Sequence, residues 1–415
     1  MKSLAGKPPV PPIFSPDESH LQSRQPFPVS SLSRIYLDNA ATSFPKPEAV
    51  YRAVEKYQRD CGAAVGRGAY HSSLEIAQKV RSCRHRIASL FSAESPERII
   101  FTFNGTDGLN LAIHGLLDHH QGGHVVTTAA EHNSVLRPLR SLEKRNQYHV
   151  TIVGLDSHGR YNPREIEQAL QTETRLVAVT HVSNVTGTIQ PIEEVAEICR
   201  RRGVPMLVDA AQSAGHLPLD LRALPVDLLA CPGHKGLLGP FGTGVLYIRP
   251  GMDERLESTR QGGTGTQSEL YEQPNDLPDK YESGNHNAPG LAGLDEGGAF
   301  IQQQTMASLF AHERELTAKL LDGLLSIDGV TVYGPHEVTG RIGVVSFNKA
   351  GYAPQDVAAI LDASAQIEVR AGLHCAPLVH RSLGTDRGGG TVRISIGFMN
   401  TPDDIDRAIA AIREL

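Results

Sequence analysis

The sequence has no long apolar run, no closely spaced cysteine pair and no excess of basic residues, and each absence excludes a class of protein. Its 415 residues carry a formal net charge of −6, with 40 Lys and Arg against 46 Asp and Glu. Without a basic patch, nucleic acid is excluded as a predicted partner. No apolar stretch approaches the roughly 18 residues that span a membrane, so a membrane-bound protein is excluded as well.

The cysteines are odd in number, and they are Cys61, Cys83, Cys199, Cys231 and Cys375. No two are spaced as Cys-x-x-Cys, which argues against a disulfide framework and favours a reducing, cytoplasmic compartment. Histidines are more numerous, at 18. Those at His119, His120 and His124 lie beside glycines without a nearby acid or cysteine cluster, so we predict no metal site.

Composition and length predict the domain organisation. Residues 1–30 are rich in Pro, Ser and Gln and lack the apolar core of a signal peptide, so we interpret them as a disordered leader. Hydrophobic residues make up 40% and charged residues 21% of the chain, as in a globular protein with a large core. We predict a large domain over 31–290, whose first residues pack on a smaller α/β C-terminal domain over 291–415. A long helix is predicted from about 291 into the 320s.

Apolar segments alternate with helical patterns between Arg98 and Arg249. The predicted strands are 99–103, 124–128, 148–153, 176–180, 206–208, 228–231 and 244–248. Most are continuously apolar, which is typical of strands buried on both faces. The sequence therefore predicts an α/β fold with a mostly parallel, seven-stranded sheet covered by helices.

Polar residues follow five of these strands, and they are Thr106, His132, Asn184, Asp209 and Lys235. Ligands of open parallel sheets bind outside the carboxyl ends of the strands. Because those ends meet at one edge of the sheet, we expect the five side chains to lie close together. This edge is therefore the predicted functional site.

A carboxylate and a lysine are the most informative of these groups. Asp209 ends one apolar run, and Lys235 follows the next, within Gly233-His234-Lys235-Gly236. An acid and an uncrowded lysine at adjacent strand ends match the needs of pyridoxal phosphate. Its aldehyde forms a Schiff base with the lysine, and the acid keeps its pyridine nitrogen protonated. The alternative is a surface lysine and an aspartate that caps a strand.

Further groups fit the same cofactor, and each has a structural alternative. Gly105 and Thr106 open a helix, whose free amides form either an anion site or an ordinary N-cap. His132 is placed to stack on a flat ring and shuttle protons, or is a satisfied loop histidine. Gln212 is placed to bond a ring hydroxyl, or is a surface glutamine.

Small residues follow the first strand of the ordered part of the chain. Asn39 and Ala40 lie in this run, before the prolines that open the first helix. Small side chains let the backbone approach a ligand closely, and the alternative is a plain strand-to-helix turn.

These motifs resemble those of the class V aminotransferase family, and within it the cysteine desulfurases of the selenocysteine-lyase-like branch. The resemblance covers about residues 34–410. The matching segments are Tyr36-Leu37-Asp38-Asn39-Ala40-Ala41-Thr42, Glu131-His132-Asn133-Ser134, His181-Val182-Ser183-Asn184-Val185-Thr186-Gly187-Thr188, Val208-Asp209-Ala210-Ala211-Gln212, Gly233-His234-Lys235, and Arg370-Ala371-Gly372-Leu373-His374-Cys375-Ala376-Pro377. Their combination and order make the resemblance highly specific.

The resemblance implies a fold-type I homodimer with pyridoxal phosphate joined to Lys235. It implies that His132 lies over the cofactor ring and Asp209 on the pyridine nitrogen. Gln212 would then bond the ring hydroxyl. The large domain would be the cofactor-binding one.

The phosphate end is where the chain departs from the family pattern. The resemblance assigns phosphate contacts to Thr106 and His234. Where the family usually has Ser or Thr before Gly-His-Lys, this chain has Pro232, which offers no hydroxyl and no amide donor. Where a loop of the neighbouring subunit usually supplies a Thr, this chain has Asn285, so we expect Asn285 and backbone amides to contribute.

The resemblance also assigns the substrate groups. Arg393 matches the arginine that binds the substrate carboxylate, with Asn184 beside it. Cys375 matches the cysteine that accepts sulfur. It lies beside His374 and near Arg370, and nearby positive charge favours a reactive thiolate. The alternative for Cys375 is a buried small hydrophobe.

The implied activity is that of a cysteine desulfurase, which takes sulfur from L-cysteine as a persulfide on Cys375 and forms L-alanine. A sulfur-acceptor protein and a place in sulfur metabolism, such as iron–sulfur cluster assembly, would follow. Two alternatives stay open. One is another reaction on the same cofactor, such as selenocysteine lysis with L-selenocysteine as substrate, epimerisation or transamination. The other is a non-catalytic partner protein that binds the cofactor.

Overall fold

The computed structural model describes residues 34–66, 68–120, 122–145 and 148–415. The predicted leader, residues 1–30, lies outside the described residues. Residues from Arg34 to Leu415 form one compact unit. The division into a large and a small domain near residue 290 stays a prediction.

The secondary structure alternates along most of the chain. The strands are β1 Ile35–Tyr36, β2 Ile99–Thr102, β3 Gly123–Thr128, β4 Tyr148–Val153, β5 Thr174–Thr180, β6 Met206–Asp209, β7 Leu228–Pro232, β8 Gly244–Ile248, β9 Val330–Tyr333, β10 Val344–Lys349, β11 Ile367–Glu368, β12 Arg370–Gly372 and β13 Thr391–Ser395. The helices are α1 Glu48–Lys56, α2 His71–Leu90, α3 Gly105–Leu117, α4 Asn133–Lys144, α5 Pro163–Ala169, α6 Ile192–Arg202, α7 Ala288–Gln304, α8 Met306–Leu325, α9 Pro354–Ala365, α10 Pro377–Leu383 and α11 Pro402–Arg413.

The largest sheet has seven strands in the order β2-β8-β7-β6-β5-β3-β4. All neighbours pair in parallel except β8, which runs antiparallel to both β2 and β7. Successive residues of one strand enter different cores, since Val208 packs in one apolar cluster and Leu207 in another. The prediction of a mostly parallel seven-stranded sheet buried on both faces is confirmed.

The C-terminal part has a second sheet and its own apolar core. Strands β12-β13-β10-β9 form an antiparallel sheet, and β1 pairs in parallel with β11. Ile35 at the start of the described chain packs in the same cluster as Val392 and Ile405. The segment after β1 therefore runs from this core toward the large sheet.

The predicted single helix from 291 into the 320s is wrong, because α7 and α8 are separate. Thr305 lies between them with φ 64 and ψ 137, a backbone conformation that no helix contains. Its hydroxyl accepts a hydrogen bond from Ser308 N–H and so caps α8. None of the helices in the described part of the chain combines the length and apolar character that a bilayer span requires.

Candidate active site

The carboxyl ends of the parallel strands open into a cavity of about 220 Å³. All but two of the predicted site residues line this cavity. The residues that line it are Ala40, Gly105, Thr106, His132, Asn184, Asp209, Gln212, His234, Lys235, Cys375 and Arg393. They come from the loop after β1, from the ends of β2, β3, β5, β6 and β7, and from the C-terminal sheet. The fold therefore brings into one site residues that are far apart in sequence.

Asn39 and Asn285 do not line this cavity. The side chain of Asn39 is buried and donates to the carbonyl of Ser395 at 3.0 Å, so it ties the loop after β1 to β13. Asn285 lies beside Phe103 and Glu282 in a separate small pocket. Within one chain, Asn285 is thus not brought to the predicted phosphate site.

Lys235 and Asp209 form the electrostatic centre of the cavity. Burial lowers the pKa of Lys235 to about 8, while Asp209 opposes this and Arg393 adds to it. Burial raises the pKa of Asp209, against a hydrogen bond from Ala211 N–H to its Oδ1 at 2.9 Å and against the charge of Lys235. Lys235 Nζ has no hydrogen-bond partner in the described part of the chain. A free, partly neutral amine at this position suits a lysine that reacts with an aldehyde.

The ring of His132 is held at the start of α4. Its Nδ1 accepts a hydrogen bond from Ser134 N–H at 3.0 Å and lies 2.8 Å from Ser134 Oγ. Ser134 Oγ lies 2.7 Å from Thr106 Oγ1. Burial lowers the pKa of His132 to about 4, and the charge of Lys235 adds to the effect. His132 is therefore a neutral, fixed ring on the wall of the cavity.

The start of α3 supplies the anion-binding end of the cavity. The side chain of Asn104 caps the helix by accepting from Asp107 N–H at 2.9 Å, which leaves the amides of Gly105 and Thr106 free. A Cβ on Gly105 would lie 3.1 Å from the ring of Pro232, so Gly105 packs closely on the end of β7. Free amides at a helix N-terminus bind a phosphate group.

His234 also lines the cavity. Its Nδ1 is buried and has no hydrogen-bond partner in the described part of the chain. The ring stacks on Phe241 with 4.6 Å between centroids, and burial lowers the pKa of His234 to about 4. A neutral imidazole whose nitrogen has no partner can form one more hydrogen bond. A phosphate oxygen would accept that bond from a protonated Nδ1.

Gln212 and Ala40 are also linked to each other. The side-chain amide of the buried Gln212 donates to the carbonyl of Ala40 at 3.0 Å. Its own oxygen accepts no hydrogen bond from the described residues. This contact joins the loop after β6 to the loop after β1, and it fixes Gln212 on the cavity wall.

Arg393 is an almost fully buried arginine on β13. Its Nη2 donates to Asp38 Oδ1 at 2.7 Å and its Nη1 donates to the carbonyl of Asn184 at 3.0 Å. Its Nε is buried without a partner in the described part of the chain. Burial lowers the pKa of Arg393, and Asp38 opposes that effect. The guanidinium is held rigidly and keeps donors for a carboxylate.

Cys375 lies in a turn with left-handed backbone at two consecutive residues, with φ 48 at His374 and φ 58 at Cys375. Such conformations are uncommon away from glycine and occur often at functional sites. The turn is held by Asn133 N–H, which donates to the carbonyl of Cys375 at 2.7 Å. The Cys375 side chain is exposed, so the alternative of a buried small hydrophobe is wrong.

Three residues at or beside the cavity were given no role in the sequence analysis, and these are Asp38, Glu131 and Ser134, while Arg370 was assigned only to the surroundings of Cys375. Ser134 alone had a local signal, because a side chain two residues beyond a helix cap returns to that cap. Glu131 is fully buried behind the cavity, and Arg370 lines it with no ion pair among the described residues. For Asp38 and Glu131, only the folded chain shows the contacts.

A larger groove of about 640 Å³ lies elsewhere, between α1, α2 and α7. It is lined by alanines, a tyrosine and ion-pairing side chains of the helix surfaces, such as Lys79. It contains no group that serves the chemistry above, so volume alone does not identify the site. The smaller cavity carries the convergent polar groups.

Comparison with known proteins gives one consistent result. The sequence profile of the family described as Aminotransferase class-V matches residues 35–408. The chain is 38% identical to a probable cysteine desulfurase of Methanothermobacter thermautotrophicus, over 92% of this chain and 94% of that protein. It is 32% identical to a cysteine desulfurase of Cronobacter sakazakii, over 91% and 92% of the two chains. The apo structure of a cysteine desulfurase from Thermococcus onnurineus superposes with a TM-score of 0.86 at 35% identity, covering 92% of this chain and 94% of that one.

Proposed function

The chain belongs to the class-V aminotransferase family, and from that premise we propose that it is a cysteine desulfurase that converts L-cysteine to L-alanine. The two relatives and the solved structure to which the chain is similar are each named as a cysteine desulfurase or a probable one. The observation that carries the proposal is the meeting of Lys235, Arg393 and Cys375 in one cavity.

The residues of the cavity fit pyridoxal phosphate as the cofactor. Its phosphate would bind the free amides at the start of α3, and Asp209 and Gln212 would hold the ring nitrogen and hydroxyl. Lys235 would hold the aldehyde carbon. When bound, the cofactor supplies an electron-accepting ring linked to the substrate amine. The buried Nδ1 of His234, which has no hydrogen-bond partner in the described part of the chain, supports this fit, because it keeps a polar atom available for a bound group.

The substrate is oriented by its carboxylate. Arg393 retains unused donors, and the bonds to Asp38 and Asn184 keep its guanidinium from rotating. Lys235 Nζ, with a pKa of about 8, is neutral in an appreciable fraction near pH 7 and accepts the proton from the substrate Cα. Removal of that proton weakens the substrate carbon–sulfur bond.

Sulfur transfer is assigned to Cys375. Its Sγ attacks the substrate sulfur, a sulfur–sulfur bond forms, and the carbon–sulfur bond breaks with its electron pair left on carbon. The substrate Cβ takes up a proton, Lys235 returns its proton to Cα, and alanine leaves. Cys375, which gave up its thiol proton before the attack, remains as a persulfide. Because the Cys375 side chain is exposed, a sulfur-acceptor protein can approach it without unfolding the turn.

The test is turnover of L-cysteine with a reductant, with sulfide and alanine measured together. We expect equal amounts of the two products, and loss of persulfide and turnover by at least 100-fold in Cys375→Ala. Cys61→Ala is the matched control, since Cys61 is a free cysteine outside the cavity. Full turnover by Cys375→Ala would contradict the assignment.

The same assay decides the alternatives. L-selenocysteine and other amino acids, scored for selenide, alanine and racemised product, separate a selenocysteine lyase or an epimerase from a desulfurase. Turnover with free L-cysteine eliminates a non-catalytic partner protein. A homodimer is part of the proposal, because Asn285 lies outside the cavity of its own chain. The free cysteines support the proposed cytoplasmic location.

A further inference from the structure

The ring of His132 is contacted twice by one residue. Its Nδ1 lies 3.0 Å from the backbone nitrogen of Ser134 and 2.8 Å from Ser134 Oγ. A backbone N–H donates and cannot accept. Nδ1 therefore carries a lone pair, and the proton of the neutral ring is on Nε2.

The hydroxyl of Ser134 has one possible direction. At 2.8 Å from an unprotonated nitrogen, its proton must lie between the two atoms, because two lone pairs at that distance would repel. Ser134 Oγ then has only lone pairs left for Thr106 Oγ1, which is 2.7 Å away. The chain of donors runs from Thr106 to Ser134 to His132.

We propose that Ser134 is a positioning residue: its backbone N–H fixes His132 as the Nε2–H tautomer, its hydroxyl adds a second donor to Nδ1, and the ring so held is a proton donor toward the cavity. The inference rests on the proposed function and deepens it. Nε2 is the ring nitrogen left for the cavity, since Nδ1 is engaged twice. His132 cannot take up a proton at Nε2 until it has first given one away.

Two consequences follow for the neighbouring groups. Burial lowers the pKa of His132 to about 4, and the charged groups that face the ring add to it. These groups are Lys235, Arg370, Arg137 and Arg393. The ring thus stays neutral near pH 7. Thr106 donates its single hydroxyl proton to Ser134, so its backbone N–H is the donor that remains for an anion.

The test is nitrogen-15 NMR of the histidine rings in the cofactor-free protein, with His132→Gln used to assign the His132 signals. In the unsubstituted protein we expect a pyrrole-type Nε2 and an imine-type Nδ1. In Ser134→Ala the backbone bond keeps the tautomer, but one donor to the neutral ring is lost. We therefore expect the His132 pKa to rise by about half a unit to one unit.

Ser141→Ala is the matched control. Ser141 is exposed on the same helix, α4, and its hydroxyl forms no hydrogen bond with another described residue, so the His132 pKa should not change. Thr106→Val should also leave the pKa within about 0.2 units, because Ser134 still donates to Nδ1. An Nδ1–H signal in the unsubstituted protein, or equal pKa values in Ser134→Ala and Ser141→Ala, would overturn the inference.

The readout is independent of turnover, so the two proposals can fail separately. If the protein shows the Nε2–H tautomer but does not desulfurate cysteine, the inference about Ser134 and His132 holds and only the proposed activity is contradicted. If the protein desulfurates cysteine but carries the proton on Nδ1 of His132, the proposed activity holds and the inference about the tautomer is contradicted.

Discussion

The side-chain amide of Asn184 donates a hydrogen bond of 2.6 Å to the backbone carbonyl of His374. This bond joins the loop after β5 of the large sheet to the turn that carries Cys375. The carbonyl of the same Asn184 accepts from Arg393 at 3.0 Å. One asparagine therefore fixes the distance between the predicted carboxylate-binding group and the predicted sulfur acceptor.

Asn184→Ala should loosen the turn of Cys375. Loss of a hydrogen bond worth about 1 kcal/mol predicts a fall in kcat/KM for cysteine of roughly 5-fold to 10-fold. Alkylation of Cys375 by a small neutral reagent should become faster. The control is Asn348→Ala, which loses a 3.1 Å bond to the carbonyl of Gly390 outside the cavity. Equal effects of the two substitutions would contradict the role of Asn184.

The charge around Lys235 predicts a pH dependence with a definite sign. Only the neutral amine reacts with an aldehyde, so adduct formation between the cofactor-free protein and pyridoxal phosphate should speed up as pH rises through about 8. Asp209 raises the pKa of Lys235 and Arg370 lowers it. Asp209→Asn should move the midpoint to lower pH and Arg370→Gln to higher pH. Stopped-flow absorbance measures both midpoints, and shifts in the same direction would refute the assignment.

Arg393→Lys tests whether the planar guanidinium is required. A lysine cannot keep the bonds to Asp38 and Asn184 and also bind a carboxylate in a bidentate manner. Loss of a charged hydrogen bond worth about 1.5 to 3 kcal/mol predicts a KM for cysteine that is roughly 10-fold to 100-fold higher, with a smaller change in kcat. Arg381→Lys, on the exposed face of α10, is the control. An unchanged KM in Arg393→Lys would remove Arg393 from the substrate site.

Glu131 predicts a pH dependence of stability. Burial raises its pKa from 4.5 to about 8 in the folded chain, so the folded state keeps the proton that the unfolded state loses. The stabilisation that protonated Glu131 contributes is complete below pH 4.5 and is lost as pH rises toward 8. The free energy of unfolding should fall by a few kcal/mol, on the order of what such a pKa shift implies. Glu131→Gln stays neutral and should remove this decline.

Chemical denaturation at pH 5 and pH 8 measures that difference. The free energy of unfolding should fall less between the two values in Glu131→Gln than in the unsubstituted protein. Glu254→Gln is the control, since Glu254 is exposed and has no ion pair among the described residues. A decline of the same size in all three proteins would show that Glu131 is ionised in the folded state.

Thr305 predicts a stabilising substitution. A β-branched residue at φ 64 and ψ 137 is strained, whereas glycine, which has no Cβ, adopts this conformation at a lower cost. Thr305→Gly loses the cap on α8, which costs only a few tenths of a kcal/mol for glycine. We expect a net gain of about 1 kcal/mol in the free energy of unfolding. Thr305→Ala, which keeps the strain and loses the cap, should be destabilised.

The local sequence was enough for the large sheet and one edge of the site. Buried parallel strands need continuous apolar runs, and such runs are visible without the fold. The carboxyl ends of parallel strands meet at one edge, so Asp209 and Lys235 could be placed together from their positions alone. The contact of Ser134 with His132 is also local, because the two residues are only two positions apart.

Only the tertiary structure decided how the C-terminal sheet meets this edge. The C-terminal sheet meets the loop after β1 at the cavity. Arg393 on β13 and the turn that carries Cys375 therefore reach the carboxyl ends of the large sheet. Asn39 and Asn285 have suitable side chains, yet packing directs one to Ser395 and places the other in a separate pocket. Such contacts depend on how distant elements pack, and no periodicity in the chain records that packing.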